Sequence, residues 1–140
     1  MSFLLDTNVV SEWVAARPNP GVVGWLMEAD EDRIFLSVVT LAELRRGVER
    51  LANGRRRKRL DEWLRDDLPQ RFEGRILPVD QRVADAWGLI VAKREDAGRP
   101  ISVIDAFMVA TATVHDLTIV TRNTSDFSPS DASVINPWTT

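Results

Sequence analysis

The chain contains no cysteine and no tyrosine, and its one histidine is His115. Without cysteine there is no disulfide framework, thiol nucleophile or cysteine-bound zinc, and without tyrosine there is no tyrosyl intermediate on a nucleic acid. A single histidine excludes a two-histidine acid–base mechanism within one subunit, and a histidine-rich zinc centre. No apolar run approaches the roughly 18 residues that span a bilayer, and no basic segment at the start leads into a long apolar one. A cytoplasmic protein without a membrane partner is expected. Catalysis by this chain falls to carboxylates.

What is present suits one domain over residues 1–140, since 44% of the residues are hydrophobic and supply a sizeable core. The net charge of −3 argues against a positive coat. Yet Arg45, Arg46, Arg50, Arg55, Arg56, Arg57, Lys58 and Arg59 crowd into one stretch. Such a cluster can hold phosphates at close range, or it can form a solvated helix face and its loop.

Phe3-Leu4-Leu5 runs straight into Asp6-Thr7-Asn8, which reads as a buried strand ending in a carboxylate, followed by a helix from near Val9 that stops before Arg17. Asn19 caps a second helix with Pro20 at its first position. Ile34-Phe35-Leu36 is a second strand. Thr40 and Glu43 have the spacing of a capping box that opens a third helix, ending at Gly54. The basic segment opens a further helix closed by Pro69, and the two helices form a hairpin with its basic turn facing water. Ile76-Leu77-Pro78-Val79 is a strand near a sheet edge, and Asp80 caps a long helix ending at Gly98. Ser102 to Asp105 repeats the cap-like spacing ahead of a well-packed helix. Leu117 to Thr121 is a β-branched strand, and Ala132 to Ile135 a weaker last one. Strands alternating with helices make an α/β fold with a mainly parallel sheet.

In such a sheet, ligands gather where strands end and helices begin. Asp6 closes a strand, Glu43 and Asp105 lie in first helical turns, and Asn123 and Asp126 follow the strand that ends at Thr121. If these elements share one sheet, their acids converge. Clustered carboxylates repel one another unless a cation offsets them. Hard oxygen donors favour Mg²⁺ or Mn²⁺, ions that suit phosphodiester hydrolysis. Each residue also has a purely structural reading: Asp6 as a cap, Glu43 and Asp105 as parts of capping boxes, Asp126 as a turn former. Asn8 reads as a cap or as a hydrogen-bonding support. Trp13 and Trp25 pack in the core or line a partner groove, and Trp138 anchors packing. A phosphoaspartate receiver would need an early acidic pair and a late lysine, and the lysines here are Lys58 and Lys93.

The ordered set Leu4-Leu5-Asp6-Thr7-Asn8, Ala42-Glu43-Leu44 with Gly47, Asp105-Ala106-Phe107 leading into Ala110-Thr111-Ala112, and Thr121-Arg122-Asn123 with Asp126-Phe127 resembles a PIN domain. The likeness is greatest to the VapC-type toxins and their FitB-like subgroup, through Arg45-Arg46-Gly47-Val48, Gly74-Arg75-Ile76-Leu77-Pro78 and Asn136-Pro137-Trp138. The resemblance implies a three-layer α/β/α sandwich around about five strands. It implies a metal-dependent endoribonuclease, using Mg²⁺ or Mn²⁺, held inactive by an antitoxin whose tail occupies the toxin's groove. A homodimer is implied as well, with operator DNA reached only through the antitoxin. Carried over by position, Asp6, Glu43 and Asp105 are the core metal-site acids, and Thr7 and Thr121 are supporting hydroxyls. Where the family often has a fourth acid, this chain has Asn123, which offers a neutral carbonyl oxygen; Asp126 can substitute. Arg45, Arg46 and Arg122 are expected to touch RNA or the antitoxin. The alternative is a catalytically silent module acting with its antitoxin in operon repression.

Overall fold

Five short apolar segments become strands in the computed structural model, which describes residues 1–127 and 131–138. They are β1 (Phe3–Leu5), β2 (Ile34–Ser37), β3 (Ile76–Leu77), β4 (Thr118–Val120) and β5 (Val134–Ile135). They pair in the order β3-β2-β1-β4-β5, each neighbour parallel, with Phe3 level with both Ile34 and Thr118. The edge position expected for the proline-flanked third strand is what forms.

Successive side chains on a strand point to opposite faces, and the sheet therefore feeds two cores. Leu5, Ile34, Leu36 and Val120 enter one of them. It is filled by α1 (Thr7–Glu12), α2 (Pro20–Glu28), α3 (Val38–Glu49), α4 (Arg55–Glu62) and α5 (Leu68–Arg71) through Val9, Val22, Leu44, Leu60, Leu68 and Phe72. Leu4, Ile119 and the half-buried Phe35 enter the other, against α6 (Gln81–Asp96) and α7 (Val103–His115) with Ile90, Met108, Val109 and Ala112. The result is the helix–sheet–helix sandwich. Each fully buried aliphatic side chain contributes roughly 1.5–3 kcal/mol relative to exposure.

The caps at Asn19, Asp80 and Ser102 form as the sequence implies, accepting from the amides of Gly21, Val83 and Asp105. Three local expectations fail. The capping box at Thr40 and Glu43 does not form, because Ser37 ends β2 and accepts from the Val39 amide, which starts α3 at Val38. Thr40 then lies buried inside the first turn. α3 stops at Glu49 rather than Gly54, which instead precedes α4. Pro69 does not close its helix. A π-helical stretch, Trp63–Asp67, widens the turn so that the Leu68 amide reaches the Trp63 carbonyl, and the proline falls in the first turn of α5, where a missing N–H costs nothing.

The chain builds outward from β1 through β2 to β3, then crosses to lay β4 and β5 on the other side of β1. Strand order therefore reverses between β1 and β4, and in open parallel sheets the crevice for a ligand lies at the carboxyl ends of such a pair. Asp6 and Thr121 are the next residues after them.

Candidate active site

Asp6 is only 7% exposed, and each of its carboxylate oxygens is held. Oδ1 accepts from the Thr7 amide at 2.8 Å, so the residue caps α1 as well as facing the crevice. Oδ2 accepts from the buried Thr121 hydroxyl at 2.7 Å and from Asn8 Nδ2 at 3.4 Å. Asn8 also donates to Thr121 Oγ1 at 3.3 Å and accepts from the Arg122 amide at 3.3 Å, joining the ends of β1 and β4. The Asn123 amide donates to Thr121 Oγ1 at 3.0 Å. Cap and site, alternatives in the sequence, are one arrangement in the structure, and Asn8 takes the supporting role.

Thr7 looks the other way. Its hydroxyl donates to Glu43 Oε1 at 2.5 Å, fixing the α3 acid against α1. Asp105, in the first turn of α7, is half-buried. Desolvation pushes its carboxyl above the ordinary range, the negative charges of Asp126, Asp6 and Glu43 push it further, and Ser102 partly offsets them. Asp126, Asp6 and Glu43 are thus within electrostatic reach of Asp105. Asn123 and Asp126 are exposed, Asp126 closing a 3₁₀ turn, Thr124–Asp126.

Among the described residues, no three acids or histidines close into a ready-made metal cage. An open set of oxygen donors with unbalanced negative charge fits a hard cation that keeps some of its waters and binds through one or two carboxylates plus a substrate phosphate. The donor set therefore fits a hard divalent cation and gives a soft ion no sulfur or imidazole to hold.

The cations are distributed unevenly. Arg45 is held by Asp61 at 2.7 Å and Glu49 at 3.2 Å, ion pairs within the helical hairpin. Arg46 is exposed, and Arg122 lies with its guanidinium 5.6 Å from the centre of the Trp138 ring. Trp13 and Trp25 pack edge-on against Phe72 and Phe3. Beside Thr7 and Glu43 runs an apolar groove of about 470 Å³, floored by Val14, Leu44, Val48, Leu60 and Trp63 with Arg56 at its rim. Charge runs alone did not single it out; its sequence signal is the pairing of Leu44 and Val48 on α3 with Leu60 and Trp63 on the next helix.

Fold and site together define an open parallel α/β protein with an all-oxygen acidic centre at its switch point. The chain belongs to the PIN domain family, whose model matches residues 3–128. It is 42% identical over 135 residues to toxin FitB of Neisseria gonorrhoeae, spanning 96% of this chain and 97% of the relative. It is 33% identical to the VapC ribonuclease Y4jK of Sinorhizobium fredii, over 96% of each chain. A solved structure of FitAB bound to an IR36 DNA fragment superposes with a TM-score of 0.91 at 39% identity, covering 99% of this chain and 96% of that one.

Proposed function

We propose that this chain is the toxin of a toxin–antitoxin pair, an endoribonuclease that hydrolyses RNA phosphodiester bonds with a divalent metal, Mg²⁺ or Mn²⁺. The observation that carries the reading is the buried Asp6 carboxylate, locked at the switch point by Thr121 and the Thr7 amide and in electrostatic reach of Asp105, as Glu43 and Asp126 also are. The ribonuclease named among the relatives supports it.

Asp6, Glu43 and Asp105 would hold the ion, with Asn123 and Asp126 as further oxygen donors, and the bound ion supplies a water of lowered pKa and a polarised phosphoryl oxygen. The protein's own part is orientation. Thr121 and the Thr7 amide keep Asp6 in one rotamer, and the Thr7 hydroxyl aims Glu43 by its other oxygen. Asn8 ties Asp6 and Thr121 to the loop that carries Arg122. Fixing the donors before the substrate arrives lowers the reorganisation that hydrolysis requires. The apolar groove beside Glu43 suits the antitoxin's tail, which would shut the site. The proposal includes a homodimer and operator DNA contacted through the antitoxin, in keeping with a FitAB structure bound to an IR36 DNA fragment, and RNA as substrate places the action in the cytoplasm. No helix among the described residues is long and apolar enough to cross a membrane.

The test is digestion of RNA by purified protein with and without EDTA, with the new ends sequenced. Cutting should stop on chelation and return with Mg²⁺ or Mn²⁺. Asp6→Asn, Glu43→Gln and Asp105→Asn should each abolish it in a folded protein. A folded triple variant that cuts at the wild-type rate would sink the assignment. The second reading, a silent module, rests on Asn123 standing where an acid is usual, and a wild type that never cuts RNA in either metal would favour it.

A further inference from the structure

The arginines of the α3–α4 hairpin are of two kinds. Arg45, Arg57 and Arg65 are neutralised by Glu49 and Asp61 at 2.7 to 3.2 Å. The side chains of Arg46 and Arg50, like those of Arg55, Arg56 and Arg59, make no hydrogen bond, ion pair or ring contact among the described residues, and of these Arg46 and Arg50 together share a cleft with Glu43. Arg46 lies three residues beyond Glu43, a spacing that ordinarily lets acid and base meet on a helix. Here they do not meet: the Glu43 carboxylate accepts from the Thr7 hydroxyl instead.

Glu43, Arg46, Gly47 and Arg50 stand at helical spacings of three, four and seven and line one cleft of about 160 Å³. Glu43 and Gly47 belong also to the apolar groove. Gly47 is the saddle between the two hollows, with open space where a side chain would be. One side of the saddle is apolar and the other is cationic, and both lead to the same acid.

We propose that Arg46 and Arg50 form a phosphate track that positions the RNA backbone beside Glu43, on the opposite side of Gly47 from the groove that takes the antitoxin. The inference rests on the ribonuclease reading. A polyanion approaching Glu43 meets the repulsion of four acids, and a cation pair on the approach offsets it. Guanidinium forks match phosphate oxygens in pairs. The helix dipole favours a cation near the end of α3 with or without a ligand. It does not account for two like charges four residues apart whose intervening acid, Glu49, is taken up by Arg45 and Arg57, an arrangement that repels itself until an anion enters. RNA is favoured over an acidic protein segment because the cleft carries two guanidinium groups and opens on the proposed catalytic acid, while the groove already offers a protein segment its apolar floor.

The experiment compares wild type, the double variant Arg46→Gln/Arg50→Gln, its Lys/Lys counterpart, and Arg33→Gln, which lies ahead of β2 at the opposite edge of the sheet. Each cuts a single-stranded RNA oligonucleotide in Mg²⁺ across a salt series, and each binds the same oligonucleotide in EDTA, followed by anisotropy. For the Gln/Gln variant KM should rise about tenfold with kcat near wild type, and binding should lose a salt slope of about 0.7 per phosphate contact. Lys/Lys should restore the slope but not all of the affinity, and Arg33→Gln should match wild type. Unchanged KM, binding and slope in the Gln/Gln variant would overturn the track. If wild type does not cut, the ribonuclease reading fails, and the binding series alone decides the track. A poly-glutamate peptide that binds wild type and is lost from the Gln/Gln variant, with RNA binding unchanged, would assign the arginines to an acidic protein segment and overturn the RNA assignment.

Discussion

The carboxyl edge of the sheet and the α3–α4 hairpin are both rich in charge, and they handle it in opposite ways. In the hairpin, opposite charges meet. Asp61 is held below the usual carboxylate range, chiefly by its hydrogen bond from Arg45, and Arg45 is raised in return. At the sheet edge like charges gather, and Asp105 is pushed the other way by desolvation and by three neighbouring acids. Charges whose role is structural find their counterions within the chain. The edge acids have no ion pair among the described residues, and the charges of Asp126, Asp6 and Glu43 around Asp105 are what the proposed cation would offset.

The variant with the largest expected effect tests whether that edge is organised in advance. Thr121→Val keeps the shape of a fully buried side chain and removes the hydroxyl donated to Asp6 at 2.7 Å. It should lower cleavage about 10- to 100-fold, as loss of a support to a ligand does. It should also cost about 1–3 kcal/mol in stability, because an acceptor is left short of a donor in a buried place. Denaturant melts and initial rates on one RNA measure both. Full activity would show that Asp6 needs no support and that the edge is no more ordered than the hairpin.

A smaller effect is expected from Asp105→Asn on the metal-free protein. A carboxyl raised by folding binds its proton more tightly in the folded state than in the unfolded one. Its ionisation therefore opposes folding above the folded pKa, and the penalty disappears as pH falls below the unfolded value. Asparagine carries no charge to penalise. The variant should melt higher than wild type at pH 7 in EDTA, and the gap should close as the buffer is taken down through the carboxylate range. A gap independent of pH would mean that the acids at the edge do not feel one another.

Much of this contrast is legible in the sequence where the rule is local. An apolar run ending in an acid marks β1 and Asp6, and the caps at Asn19, Asp80 and Ser102 need only their own helices. The role of Asn8 is not local, because its partners Thr121 and the Arg122 amide lie 113 and 114 positions away. The spacing of Thr40 and Glu43 reads as a capping box in a first turn, but Ser37 starts the helix at Val38 and so moves Glu43 into the second turn. Pro69 signals a stop that a π turn can avoid. The run of arginines reads as one patch because sequence order hides helical phase. Arg45 and Arg46 are adjacent in the chain, yet they leave α3 about 100° apart, one toward Asp61 and the other beside Glu43.

That phase difference supports the smallest prediction, Arg45→Gln. The side chain is 39% exposed and its partners are wet, so water screens the pairs and their removal destabilises little. A slightly lower melting temperature is expected at low salt, and it should merge with wild type near 1 M, where the Debye length is about 3 Å. At acid pH the difference should also fade, since the stabilisation from Asp61 is present above the ordinary carboxylate range and is lost as pH falls through its depressed folded value. RNA cleavage should keep the wild-type KM and salt slope, in contrast to the Gln/Gln variant at Arg46 and Arg50. If Arg45→Gln weakens RNA binding as strongly as that variant does, then internal pairing does not distinguish the two kinds of arginine, and the hairpin belongs to the same charged surface as the site.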